Sequence, residues 1–338
     1  MLRIAGGLLG FLLLATPAMA QTNPALLQPH LIDVGNGRRI NFHCIGEGAP
    51  TIVFSGGGEG LFTNWGKIQP AISALTRTCF YDRAGWGYSD PPPAGAVDSF
   101  SITDDLHTVL QKVGITEPVV LVGHSIGAFH AVVYTNRFFN DVAGLVLVDS
   151  GISTQELHMK GERKLRDQGI NRRFEGEPLR CAVLARAGKL TEESLPSYPK
   201  CMQVPAGVTP EEKQYVLHAI TGPNWYVYEH LQAAHYFASD DGPSIDGQQE
   251  LDTRRSYGDL PMIVLTSDQP EDTPHRTKEE NEAGKKSRVD AHKAFAARST
   301  RGQWIFIPGS DHFIQKSNPD VVIKVITDVV YVVRDKSK

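Results

Sequence analysis

The sequence predicts an α/β fold: a mostly parallel central sheet flanked by helices, with a helical segment inserted into it. Three observations carry that reading. Residues 31–148 alternate short apolar strand-like runs with amphipathic helix-like stretches at the spacing of an α/β chain. The same alternation returns from residue 260 to the end. Between the two, residues 151–259 hold no strand run of comparable quality, only helix-like pieces broken by Pro and Gly.

The elements follow in order. RRINFHCI (38–45) reads as a strand, and TIVFS (51–55) as a second one buried on both faces. Residues 64–77 are amphipathic and helical, and TCFYD (78–82) is a third strand. In SITDDLHTVLQKVG (101–114), Ile102, Leu106, Val109, Leu110 and Val113 share one helical face, with Ser101 and Asp104 as a capping pair. PVVLVG (118–123) is a short apolar strand, a helix runs from there to Phe138, and GLVLVD (144–149) closes the first half. After the insertion come the strand PMIVLTS (261–267), a charged loop, a helix over 283–298 and the strand QWIFIPG (303–309). A last helix opens at Asn318-Pro319, a cap followed by proline. There is no internal repeat. The 32 Gly and 21 Pro suit a chain with many short turns.

Composition narrows the function. At 338 residues and 41% hydrophobic, the chain is long enough to bury a substantial core, which excludes a disordered or low-complexity scaffold. With 34 Lys+Arg against 38 Asp+Glu, a net charge of −4 and no basic block, it has no electrostatic basis for binding nucleic acid or an anionic membrane surface. A small-molecule substrate is the expected partner. The first twenty residues, MLRIAGGLLGFLLLATPAMA, place one Arg before a short apolar run and end on Ala18-Met19-Ala20, the pattern of an export signal cleaved after Ala20. The apolar run is shorter than a membrane span, so no stable anchor is expected after removal, and the mature protein is expected to be periplasmic or secreted. In that compartment Cys44, Cys79, Cys181 and Cys201 form a candidate disulfide framework with three possible pairings. Their spacing fits no metal site.

The chemistry is carried by Gly123-His124-Ser125-Ile126-Gly127. A buried strand runs into this string and a helix leaves it, the strand–turn–helix context in which a serine hydroxyl is exposed on a sharp turn. A serine hydroxyl is a weak nucleophile at neutral pH and needs a base, which in turn needs an orienting carboxylate. His312, in IFIPGSDHFIQKSNPD between the last strand and the last helix, is the one histidine of twelve so placed. The histidines of the inserted segment, His158, His218, His230 and His235, read as ordinary surface or pocket residues.

With these motifs the chain resembles the α/β-hydrolase fold serine hydrolases. The likeness covers residues 30–150 and 260–335 and rests on Ser55-Gly56-Gly57-Gly58, the string Tyr81-Asp82-Arg83-Ala84-Gly85-Trp86-Gly87-Tyr88-Ser89-Asp90, the Ser125 turn and the late His312. Two positions depart from the family pattern: Ser55 stands where His is usual, and Asp311 stands where Gly usually precedes the histidine. The resemblance implies a core of residues 21–150 and 260–338 after the leader at 1–20, with residues 151–259 as a cap covering the serine. It implies an oxyanion hole from the amides of Ile126 and Gly57, with Gly58 as an alternative to Gly57, and a structural role for Asp82-Arg83 beside that loop. The orienting acid is left between Asp268, preferred at the end of the penultimate strand, Asp149, one strand earlier, and Asp272. The family's strand order makes the strands of Cys44 and Cys79 neighbours, so 44–79 and 181–201 are the expected disulfides. The cap aromatics Trp225, Tyr226, Tyr228, Tyr236 and Phe237 are expected either to line an apolar substrate site or to form the cap's own core.

The function implied is cleavage of a carboxylic ester by a Ser–His–Asp triad through an acyl-enzyme, with no metal or cofactor required. Aminopeptidase-like, C–C bond hydrolase and acyltransferase activities use the same triad and stand as alternatives, and a non-catalytic hydrolase-like binding protein is the alternative of another class. A serine at position 125 argues against epoxide hydrolases and dehalogenases of this fold, which carry Asp there.

Overall fold

The runs Ile52–Ser55, Val119–His124 and Met262–Ser267 are buried at every position, as expected of parallel strands covered on both faces. The structure, a computed structural model, describes residues 23–58, 60–93, 97–152, 176–237, 244–268 and 277–336. The expected leader and Asp272 lie outside the described residues.

Eight strands form one sheet: β1 (Leu31–Gly35), β2 (Arg38–Ile45), β3 (Ile52–Ser55), β4 (Thr78–Tyr81), β5 (Val119–His124), β6 (Val142–Val148), β7 (Met262–Ser267) and β8 (Gly302–Ile307). Their order is β1-β2-β4-β3-β5-β6-β7-β8. β1 with β2 and β2 with β4 are antiparallel, and every later pairing is parallel. Residue alternation divides the sheet's side chains between two layers. Phe54, Val122, Val146 and Leu265 join the cluster on one face, and Val53, Leu121, Leu147 and Val264 join the cluster on the other. Helices α2 (Ser99–Lys112), α3 (Ile126–Arg137) and α8 (Lys278–Ala296) contribute to the second cluster, and α9 (Pro319–Lys336) packs its valine stripe on the first.

Two helix starts differ from expectation. Residues 64–77 are a 3₁₀ turn (Phe62–Trp65) followed by α1 (Gln69–Leu75), because Pro70 lacks the N–H that a continuous helix would need and is suited to a helix's first turn. The start of α2 is capped by Asp98, whose side chain accepts from the Ser101 amide at 3.0 Å, and not by the Ser101–Asp104 pair. The β1 strand was not read from the sequence; its five residues carry only half-buried or exposed positions.

The segment between β6 and β7 contributes α4 (Glu177–Arg186), α5 (Pro210–Thr221), α6 (Pro223–Tyr236) and α7 (Ile245–Thr253). Trp225 and Tyr226 are buried in one cluster with Cys181, Leu195 and Cys201 of the segment itself, and the segment's aromatics also join it to the sheet domain. The Trp225 ring lies 4.5 Å from that of Trp86, Tyr215 lies 4.6 Å from Phe62, and His218 stacks on Tyr88 at 4.3 Å. The Tyr215 hydroxyl donates to the buried Asp82 at 2.5 Å. Among the described residues no helix is long and apolar enough to cross a membrane.

Cys44 and Cys79 face each other across the β2–β4 register with Cα atoms 4.1 Å apart and are bonded, and Cys181 is bonded to Cys201 within the inserted segment. The first bond closes a loop with a sequence separation of 35. Replacing Cys44 and Cys79 together by Ala is expected to lower the unfolding free energy by about 3 to 4 kcal/mol, chiefly through the freed unfolded chain. Urea denaturation of the variant against the oxidised protein checks this, and coincident curves would contradict it.

Candidate active site

Parallel pairing of β5, β6, β7 and β8 brings the C-terminal ends of four strands to one edge. Ser125 follows β5 in a conformation rare for a residue with a side chain, φ 54° and ψ −127°. The surrounding backbone holds it there. The Ser125 amide donates to the Val148 carbonyl at 3.0 Å, and its own carbonyl accepts from the amides of Ala128 (3.0 Å) and Gly151 (2.9 Å). The two flanking glycines are required by space: a Cβ on Gly123 would run into the backbone of Ala128, and one on Gly127 into the carbonyl of Gly56.

The Ser125 Oγ lies 3.0 Å from Nε2 of His312, and Nδ1 of His312 lies 2.6 Å from Oδ2 of Asp149. Asp149 ends β6 with φ 43° and is 1% exposed. It also accepts from the Ser267 amide at 2.9 Å and the Ser267 hydroxyl at 2.8 Å, with the buried Arg288 guanidinium of α8 at 3.9 Å. Burial alone would raise this carboxyl; the His312 hydrogen bond, with the charges of His312 and Arg288, outweighs burial and holds it well below the usual carboxylate range. An ionised carboxylate only accepts, so Nδ1 of His312 carries the proton and Nε2 is free to take one from the serine.

The preference for Asp268 is corrected by this geometry. Its side chain turns away to a salt bridge with Lys285 at 2.5 Å and to the Gly309 amide at 3.0 Å, and Lys285 first, then that amide, pulls its carboxyl down. The ends of β6 and β7 are adjacent, so the choice falls to the cations of α8: Lys285 captures Asp268, while Arg288 faces Asp149. Asp311, at one position that departs from the family pattern, accepts from the Phe313 amide at 2.9 Å and the Ser317 hydroxyl at 3.0 Å, pinning the turn that follows His312.

Gly57 lies against the serine: a Cβ there would come 3.3 Å from Cβ of Ser125 and 2.8 Å from Nδ1 of His124. The buried Arg83 donates to the carbonyls of Gly56 and Gly57, both at 2.7 Å. In a trans peptide the N–H points opposite to the C=O, so these bonds aim the amides of Gly57 and Gly58 away from Arg83. Ile126 is the first residue of α3, where amides have no intrahelical acceptor.

Three further histidines are buried around the site, all held neutral chiefly by burial. His292 closes a directed chain: the Trp304 indole donates to the Thr266 hydroxyl at 2.8 Å, the hydroxyl donates to Nδ1 of His292 at 2.7 Å, and Nε2 of His292 donates to the Ser150 carbonyl at 2.8 Å, next to Asp149. His124 donates to the His312 carbonyl, and His130 has no hydrogen-bond partner at either nitrogen. Of the three, His124 stands in the sequence motif directly before Ser125, while His130 and His292 lie inside helices and carried no sequence signal.

Residues 53–325 match the model of the alpha/beta hydrolase family. The chain belongs to that family. As an alpha/beta hydrolase it is 38% identical over 96 residues to an uncharacterized protein of Schizosaccharomyces pombe (28% of this chain, 17% of that one). It is 32% identical over 123 residues to 2-hydroxymuconate semialdehyde hydrolase of a Pseudomonas species (36% of this chain, 43% of that one). The chain thus spans less than half the length of these curated relatives. A laboratory-evolved variant of potato epoxide hydrolase shares the fold with a TM-score of 0.64 at 18% identity, over 90% of this chain and 99% of that one.

The buried neutral histidines give this alpha/beta hydrolase a testable acid response. For a histidine whose folded pKa is lowered, the unfolded chain binds the extra proton below about pH 6.5, so stability is lost as pH falls through that value. His130, lowered first by burial and then by Arg83, lies far below it. Relative to wild type, His130→Phe is expected to gain about 1.4 kcal/mol of stability for each pH unit below 6.5. Urea midpoints from pH 7 to 5 measure it; a difference that does not vary with pH would contradict the reading.

Proposed function

We propose that this alpha/beta hydrolase is an exported serine hydrolase that cleaves a carboxylic ester or a similar acyl bond through an acyl-enzyme. The observation that carries the reading is the hydrogen-bonded chain Ser125–His312–Asp149, 3.0 and 2.6 Å, beside a glycine loop. In this mechanism the Ser125 oxygen attacks the substrate carbonyl carbon while its proton passes to Nε2 of His312. The carbonyl oxygen becomes an oxyanion facing the amides of Ile126 and Gly57, each such donor being worth about 3 kcal/mol to the transition state. Asp149 holds the His312 tautomer and stabilises the imidazolium. The intermediate collapses as His312 returns the proton to the departing alcohol oxygen. Water then gives a proton to Nε2 of His312 as its oxygen bonds to the acyl carbon, and His312 returns that proton to the Ser125 oxygen as the acid leaves. Export is supported by the leader-like first twenty residues and by two disulfides, which persist in oxidising compartments.

Hydrolysis of a carbon–carbon bond next to a carbonyl is a second reading. It is favoured by the likeness to 2-hydroxymuconate semialdehyde hydrolase, and it uses the same serine and histidine.

A p-nitrophenyl ester chain-length series, run beside a 2-hydroxymuconate semialdehyde and aminoacyl-naphthylamides, separates these activities. Ser125→Ala is expected to lower kcat by about 10⁶-fold. Asp149→Asn is expected to lower it by about 10⁴-fold through the wrong histidine tautomer, while Asp268→Asn stays close to wild type. Wild-type protein that takes up a fluorophosphonate probe no faster than Ser125→Ala would refute the enzyme reading and favour a binding protein.

A further inference from the structure

His124 directly precedes the serine, is 1% exposed and makes one hydrogen bond through its side chain. Its Nε2 lies 2.9 Å from the main-chain carbonyl oxygen of His312, 188 residues away in sequence. A carbonyl only accepts, so Nε2 carries the proton and Nδ1 presents a bare lone pair. That Nδ1 is buried without a partner and faces the Cα of Gly57. The His124 and His312 rings are 4.6 Å apart, tilted by 49°, with the Phe313 ring 5.0 Å from His124 on the same loop.

We propose that His124 is a positioning residue for the base: by donating to the His312 carbonyl it ties the serine turn to the histidine loop and sets their separation before substrate arrives. The inference rests on the reading of Ser125, His312 and Asp149 as a proton relay. Its physical basis is a closed ring. His124 and Ser125 share a peptide bond in a turn already fixed by the β5–β6 pairing. From that turn one hydrogen bond, 3.0 Å long, reaches the His312 ring, and another, 2.9 Å long, reaches the His312 backbone. Holding the base at both its ring and its main chain leaves little freedom for the imidazole to swing off the serine. Misplacement by an ångström is enough to slow such a step severely. Asp149 cannot do this alone, because it holds only the ring, through Nδ1. A histidine can serve here because burial, reinforced by the neighbouring His312, keeps His124 neutral down to about pH 3. It therefore adds no second cation beside the imidazolium that forms on His312.

The test compares His124→Phe, which keeps a ring and loses the donor, with His124→Gln, whose amide nitrogen reaches the position of Nε2. On the best ester found for the wild type, His124→Phe is expected to lower kcat and the fluorophosphonate labelling rate together by about 10- to 100-fold, with KM unchanged. His124→Gln is expected to recover most of that loss. Both variants reacting at wild-type rates, or Gln giving no rescue while matching the wild-type melting temperature, would overturn the proposal. Should His124→Phe fail to fold, nitrogen-15 NMR of the wild-type imidazoles reads the tether directly, the His124 signals being those missing from His124→Gln. A neutral ring protonated at Nε2 supports it, and protonation at Nδ1 overturns it. A wild type that does not react with the probe overturns the relay itself, whereas a reactive wild type with reactive variants overturns the role of His124 alone.

Discussion

An ionised carboxylate at 1% exposure is tolerable only when donors surround it, and much of the sheet's C-terminal edge is organised to supply them to Asp149. Two come from Ser267 on the neighbouring strand, one from His312, and the charge is balanced further by Arg288 from a helix on the sheet's flank. The donors and the balancing charge come from β7, the loop after β8 and α8, so the pairing of β6 with β7 and the packing of α8 are preconditions for one aspartate's charge. Because the carboxylate is satisfied and fixed, the histidine has one tautomer. With one tautomer, Nε2 points a lone pair at Ser125.

The same economy governs the main chain around the site. The Ser150 carbonyl is held by His292, the Gly56 and Gly57 carbonyls by Arg83, and the His312 carbonyl by His124. In each case a buried side chain with N–H donors clamps a backbone oxygen, and the adjacent peptide plane is thereby oriented. Loops are usually the mobile part of a fold. Here three of them are pinned beside Ser125, His312 and Asp149, while two of the clamps are histidines that carry no charge at neutral pH.

Much of this was legible in the sequence, for reasons specific to the elements. Strands β3, β5, β6 and β7 are apolar at nearly every position because helices cover both sheet faces, and the Gly-x-Ser-x-Gly turn is legible because only glycine fits beside Ser125. His312 was legible by its place after the last strand. The acid was not, since parallel strands bring Asp149 and Asp268 to the same edge and the deciding cations, Lys285 and Arg288, sit one helical turn apart on α8. The start of α2 was misplaced because Asp98 and Ser101 both suit a cap, and the helix uses Asp98, three residues earlier, whose side chain takes the Ser101 amide. β1 lacked a signal because an edge strand with exposed positions reads like a loop.

The inserted segment meets the glycine loop through Arg83 as well as by its aromatic contacts with the sheet domain. The Arg83 guanidinium holds the Gly56 and Gly57 carbonyls, lies 5.0 Å from the centre of the Trp86 ring, and reaches Gln232 of α6 at 3.5 Å. Trp86 in turn carries Trp225 of the same helix, and the neighbouring Asp82 carries Tyr215 of α5. A buried guanidinium loses much of its hydration and must keep its acceptors, so a shift of α6 that removed Gln232 would throw more of the load onto Gly56 and Gly57. The coupling runs both ways: the orientation of the Gly57 amide depends on the bond of Arg83 to the Gly56 carbonyl, and Arg83 is shared between the glycine loop and the inserted segment.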